Sequence, residues 1–116
     1  MAAPGQSPIS RTVRVEINLD KSGTPMAKPD YFEVSKRNNE EVMWVCVQEH
    51  AHRGDGQPCF TVDFEKNGSP FYESQFSSDS PISGLVRRDV LPGPKRYNYT
   101  VRAGDKSLDP GGGVKP

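Results

Sequence analysis

The sequence predicts an all-β fold, a two-sheet Greek-key sandwich of six to eight short strands, and three observations carry that expectation. Apolar residues recur with period two in several segments, and no window of a dozen residues spaces them at i, i+3, i+4 and i+7. Glycine and proline are abundant, 11 of each in 116 residues, so turns must be frequent and elements short. Clusters of turn-forming residues separate the alternating runs at close intervals, as in a sandwich or small barrel. The length suits a single domain. Residues 1–10, polar and holding two prolines, read as a flexible arm, and residues 11–116 as the sandwich with a Gly-rich tail.

The strands can be placed in order. Val13, Val15, Ile17 and Leu19 alternate with polar residues, which describes a strand buried on one face. Asp20 to Pro25 is turn chemistry. Tyr31 to Lys36 forms a second short strand with Phe32 and Val34 inward, and residues 36–41 make a polar turn. The run Val42-Met-Trp-Val-Cys-Val47 is apolar throughout, too short for a helix and rich in β-branched residues. It is expected to be a central strand covered on both faces and the most buried segment of the chain. Residues 48–58 form a polar loop. Phe60, Val62 and Phe64 alternate with Thr61, Asp63 and Glu65 in the next strand, which Asn67-Gly68 closes as a tight turn. Residues 70–84 read as irregular chain with aromatic anchors. A short strand is expected at Val86, Arg88 and Val90, and a final one at Tyr97, Tyr99 and Val101.

Composition narrows the function. Lys plus Arg balance Asp plus Glu, 15 against 15, so the chain lacks the basic excess of a nucleic-acid binder. No apolar run approaches the roughly 20 residues of a membrane span. The first residues do not read as a signal peptide, so a cytoplasmic location is expected, with an exported mature form as the alternative. There is no G-x-S-x-G elbow, P-loop, G-x-G-x-x-G or H-E-x-x-H, and no enzyme is expected. Asp63 and Glu65 share the polar face of one strand, where acids usually form the solvated side.

Two constellations remain. Cys46, His50, His52 and Cys59 put four soft or borderline metal ligands within 14 residues, a donor set of the kind that binds zinc or copper(I). Their spacing departs from C-x-x-C and H-x₃₋₅-H pairs. The plainer readings are free thiols or a disulfide between neighbouring strands, and reduced thiols are favoured here. The second constellation is a pair of contact surfaces. One is the loop bearing His50, His52, Arg53 and Asp55, and the other is Phe71, Tyr72 and Phe76 in irregular chain. These point to a non-catalytic binding or scaffold module with a protein partner and no cofactor. A metal-binding protein using the Cys/His cluster is the alternative.

Several short segments, in order, resemble cupredoxin-like β-sandwich domains, including small bacterial ones. They are Val42-x-Trp44, Phe60-Thr-Val-Asp-Phe64, Ser69-Pro-Phe71, Pro92-Gly93, Tyr97-Asn-Tyr-Thr-Val101 and Leu108-Asp-Pro110, spread over residues 32–114. The resemblance implies a two-sheet sandwich but no type 1 copper site. Where the family places its first histidine ligand this chain has residues near Phe60. Where it places its cysteine the chain has residues near Val101, and 102–109 supply neither His nor Met.

Overall fold

The computed structural model describes residues 11–47, 59–65 and 68–116. These contain nine strands: β1 (Thr12–Leu19), β2 (Pro25–Lys28), β3 (Tyr31–Ser35), β4 (Glu41–Cys46), β5 (Thr61–Phe64), β6 (Gln75–Ser77), β7 (Tyr97–Ala103), β8 (Lys106–Leu108) and β9 (Gly111–Lys115). No helix long and apolar enough to cross a membrane occurs among the described residues. The fold is all-β, with two sheets ordered β2-β1-β4 and β3-β9-β7-β5-β6, and β8 pairs with β7. The count is nine rather than six to eight.

The first sheet follows from the alternation in β1. Val15 and Ile17 are fully buried, and their polar neighbours Arg14 and Glu16 form an ion pair at 3.1 Å on the other side. The Asp20 carboxylate closes the turn by accepting from Ser22 Oγ and from the Ser22 and Thr24 amides, with Gly23 at φ 87°. These bonds, the Ser22 hydroxyl first, hold Asp20 below its usual pKa. The chain then returns as β2, antiparallel to β1, while β4 runs parallel to β1 on its other side. The expectation that β4 would be covered on both faces is corrected. Val42 and Trp44 are fully buried, Met43 and Val45 are half-buried, and Val47 is exposed. The outer edge of β4 is covered by residues 81–83: Trp44 N–H donates to Pro81 O, Ser83 N–H to Val42 O, and Val42 N–H to Ser83 Oγ.

Four strands, β2, β6, β8 and β9, lie outside the strands expected from the sequence. The last is the most instructive. Gly111, Gly112 and Gly113 are buried in a strand parallel to β3, in register with Tyr31, Phe32 and Glu33. Its glycines make room for neighbouring side chains. A Cβ on Gly112 would enter the Phe32 ring, one on Gly111 would meet the Arg96 guanidinium at 2.7 Å, and one on Gly113 the Tyr31 hydroxyl at 2.5 Å. Arg96 in turn lies 5.2 Å from the Tyr31 ring centroid, over its face. The strand expected at Val86–Val90 does not form. Val86 makes a single bridge to Phe71, and Val90 N–H donates back to Arg87 O in a tight turn.

Between the sheets, Trp44 from β4 contacts Phe64, Phe76, Tyr99 and Phe32 with ring centroids 5.1–6.3 Å apart. Phe71 completes the cluster against Phe32, Phe64 and Phe76. Rings of this size dominate the burial of a small domain, and tilted and edge-on pairs add to it. Two polar atoms are caught inside, Trp44 Nε1 and the Tyr99 hydroxyl, neither with a hydrogen bond of good geometry. Burial pushes the Tyr99 phenol up to about 12, against a slight opposing pull from the nearby indole N–H.

That shift has a sign. The folded state holds the Tyr99 proton more tightly than the unfolded chain, so the contribution is fully present below about pH 10 and fades as pH rises towards 12. Tyr99→Phe should match or slightly exceed wild-type stability at pH 7, because it removes an unpaired buried hydroxyl. It should also abolish about 1 kcal/mol of the alkaline destabilisation between pH 7 and pH 11, as measured by urea unfolding at the two pH values. Equal losses of stability on going to pH 11 in the two proteins would contradict the assignment.

Candidate functional site

The alternation that buries Val62, Phe64, Phe76, Tyr99 and Val101 must turn their neighbours outward. On β5 these are Thr61 and Asp63, followed by Glu65; on β6, Gln75 and Ser77; on β7, Asn98, Thr100 and Arg102. Strand register arranges them as cross-strand rungs, Ser77–Thr61–Arg102 and Gln75–Asp63–Thr100. The outer face of the larger sheet is therefore a grid of short polar side chains. Arg102 reaches Asp63 at 3.5 Å, and Thr100 donates to Asp109 at 2.9 Å. Both Asp63 and Arg102 are substantially exposed, so their pairing adds little to stability.

One end of this face is bounded by the turn at 69–73. Ser69 is nearly buried and staples it, its hydroxyl donating to Glu73 O and accepting from Phe71 N–H. Arg87 N–H donates to Pro70 O, and Phe71 is buried against the core. Phe71 turned inward sends Tyr72 outward, where it is 68% exposed. Its hydroxyl is nonetheless fixed, accepting a 3.0 Å bond from Arg88 N–H. The result is an aromatic ring held in place and open to solvent.

Three adjoining depressions run over this region. The largest, about 650 Å³, lies between Tyr72, Glu73, Gln75, Asp63 and Arg87. A second of about 460 Å³ shares Asp63 and Gln75 with it and extends to Thr61 and Arg102. A third of about 300 Å³ shares Glu65 and extends over Asn98 and Thr100 to Asp109. Arg87 Nε, at the wall of the first, is buried without a hydrogen-bond acceptor; Asp89 is its ion-pair partner at 3.6 Å. An elongated polar trough can bind by hydrogen bonding and aromatic contact.

The contact residues expected from the sequence separate. Tyr72 stands at the trough. Phe71 and Phe76 are corrected: they are 1% and 7% exposed and belong to the core, because each faces the Trp44 cluster and cannot also present a surface. His50, His52, Arg53 and Asp55 lie outside the described residues. The outward residues of β5 and β7 were visible in the sequence as the wet side of two strands. What the sequence did not show was β6 beside them, or the turn that lifts Tyr72 over their end.

Cys46 and Cys59 are joined in a disulfide, Cα–Cα 6.4 Å, which corrects the expectation of reduced thiols. It ties the end of β4 in the first sheet to the residue preceding Phe60 and β5 in the second, so the pair links the sheets. Cys59 is fully buried. In this bridged form neither sulfur is a thiolate, the species that ligates zinc or copper(I). No group of three or more His, Cys, Asp or Glu among the described residues is placed to hold a metal ion.

No protein-family model matches the chain, and no curated protein matches it either.

The bridge is directly measurable. Thiol titration of the protein unfolded in guanidinium without reductant should find no free thiol, and two after reduction. Closing a loop of 13 residues' separation, the bridge should contribute about 3 kcal/mol to stability, lost on reduction. Two reactive thiols before reduction would contradict it.

Proposed function

We propose that the chain is a non-catalytic recognition module on a cupredoxin-like sandwich lacking the type 1 copper ligands, with the outer face of β5, β6 and β7 as its binding surface. The observation that carries this reading is the continuity of the trough: the largest depression shares Asp63 and Gln75 with the second and Glu65 with the third, and the fixed, exposed ring of Tyr72 lines it. Side chains on paired strands keep their spacing without a ligand, so little ordering cost falls on binding. The acids of the face are open to water and lie away from the apolar core, which favours their use as hydrogen-bond acceptors over proton transfer.

The metal-binding alternative needs the Cys46 and Cys59 thiolates, which the disulfide consumes. The same bridge favours an oxidising compartment as the working environment over the cytoplasm.

Mapping with small organic fragments by amide chemical-shift perturbation tests the assignment. Fragments should cluster at Asp63, Glu65, Tyr72 and Gln75, and Tyr72→Ala should remove most of the response there. Clustering anywhere else on the molecule, with the β5–β6–β7 face silent, would overturn it.

A further inference from the structure

We infer that the trough binds a neutral, polyhydroxylated chain, a polysaccharide without charged groups; this rests on the binding face proposed above and names its ligand class.

The charge of the trough argues first. Its depressions carry four carboxylates, Asp63, Glu65, Glu73 and Asp109, against two guanidiniums, Arg87 and Arg102. A polyanion, whether nucleic acid or acidic glycan, would meet net negative charge in an open, solvated groove. A polycation would have acceptors to bind, but Arg102 stands over the middle of the face and Arg87 at its wall. Asp63 is already engaged by Arg102 at 3.5 Å. Mixed charges that partly neutralise one another suit a ligand with no net charge.

Hydrogen-bond chemistry argues second. A sugar hydroxyl is donor and acceptor at once, so a surface that binds many of them must offer both. The grid does so within two rungs. Gln75 has an amide donor and acceptor, Thr61, Ser77 and Thr100 have hydroxyls, Asp63 accepts and Arg102 donates. Arg87, whose Nε pairs with Asp89 at 3.6 Å, stands at the wall of the largest depression and adds guanidinium donors to it.

Shape and the aromatic ring argue third. Three adjoining depressions, the largest joined to each of the others through shared residues, fit a chain of repeating units better than one compact molecule. A pyranose presents a face of C–H groups that stacks on an aromatic ring, and this needs a ring both exposed and immobile. Tyr72 is 68% exposed while its hydroxyl is held by Arg88 N–H.

Affinity electrophoresis of the full chain tests the inference. Probes are gels containing soluble neutral polysaccharides with β-1,4-glucose, β-1,3-glucose, xylose, mannose or galactose backbones, beside polygalacturonate and polylysine gels. At least one neutral polymer should retard the protein. Tyr72→Ala should weaken that retardation roughly tenfold or more, as expected for loss of a central aromatic contact. Gln75→Ala should weaken it too, and Leu91→Ala, exposed elsewhere, should leave it unchanged. Circular dichroism of each variant checks that the fold is kept. Absence of retardation in every neutral gel, or retardation that Tyr72→Ala and Gln75→Ala leave intact, overturns the inference. Binding confined to polylysine or polygalacturonate also overturns it. In either case fragments clustered on the face would leave the binding surface standing, and only a silent face would remove both.

Discussion

The contact on which the rest depends is Trp44 lying between the two sheets. It comes from the first sheet, yet four of its ring neighbours, Phe32, Phe64, Phe76 and Tyr99, come from the second. The apolar side of the three-stranded sheet must be covered from water by another layer. The rings of the second sheet provide that cover around the indole, and the Cys46–Cys59 bridge joins the same two sheets two residues further along β4. Both act on the junction between sheets, one by burial and the other by limiting the unfolded chain.

This core determines what the second sheet can offer. Period-two geometry means that each ring sent inward to meet Trp44 commits its neighbour to the opposite side. Phe60, Val62 and Phe64 therefore specify Thr61, Asp63 and Glu65 as an outward polar row, and Tyr97, Tyr99 and Val101 do the same for Asn98, Thr100 and Arg102. At the turn, buried Phe71 commits Tyr72 to solvent. The proposed binding face is thus the obverse of the core.

Where polar and apolar residues alternate, as in β1, β3, β5 and β7, the strands and their inward sides were legible from the residues alone. Three kinds of information were not. Gly111–Gly113 carries no hydrophobic signal, because the apolar atoms that make it a buried strand belong to Phe32 and Tyr31. The run at 42–47 has apolar residues on both sides, which hid that Val42, Trp44 and Cys46 are the ones that pack on the core. Phe71, Tyr72 and Phe76 look alike as a cluster, and only the Ser69 staple and the bridge to Val86 decide that one ring of the three is outside. The pairing of Cys46 with Cys59 depended on the close approach of the end of β4 to the residues that precede β5, a tertiary fact that spacing left open.

The single tryptophan makes the central claim accessible to one measurement. Emission from Trp44 in the native protein should lie well to the blue of indole in water, and acrylamide should quench it only slightly, both changing together on unfolding. Native emission resembling that of aqueous indole, quenched as readily as in the unfolded chain, would contradict an interior built around Trp44 and with it the face on the other side of the sheet.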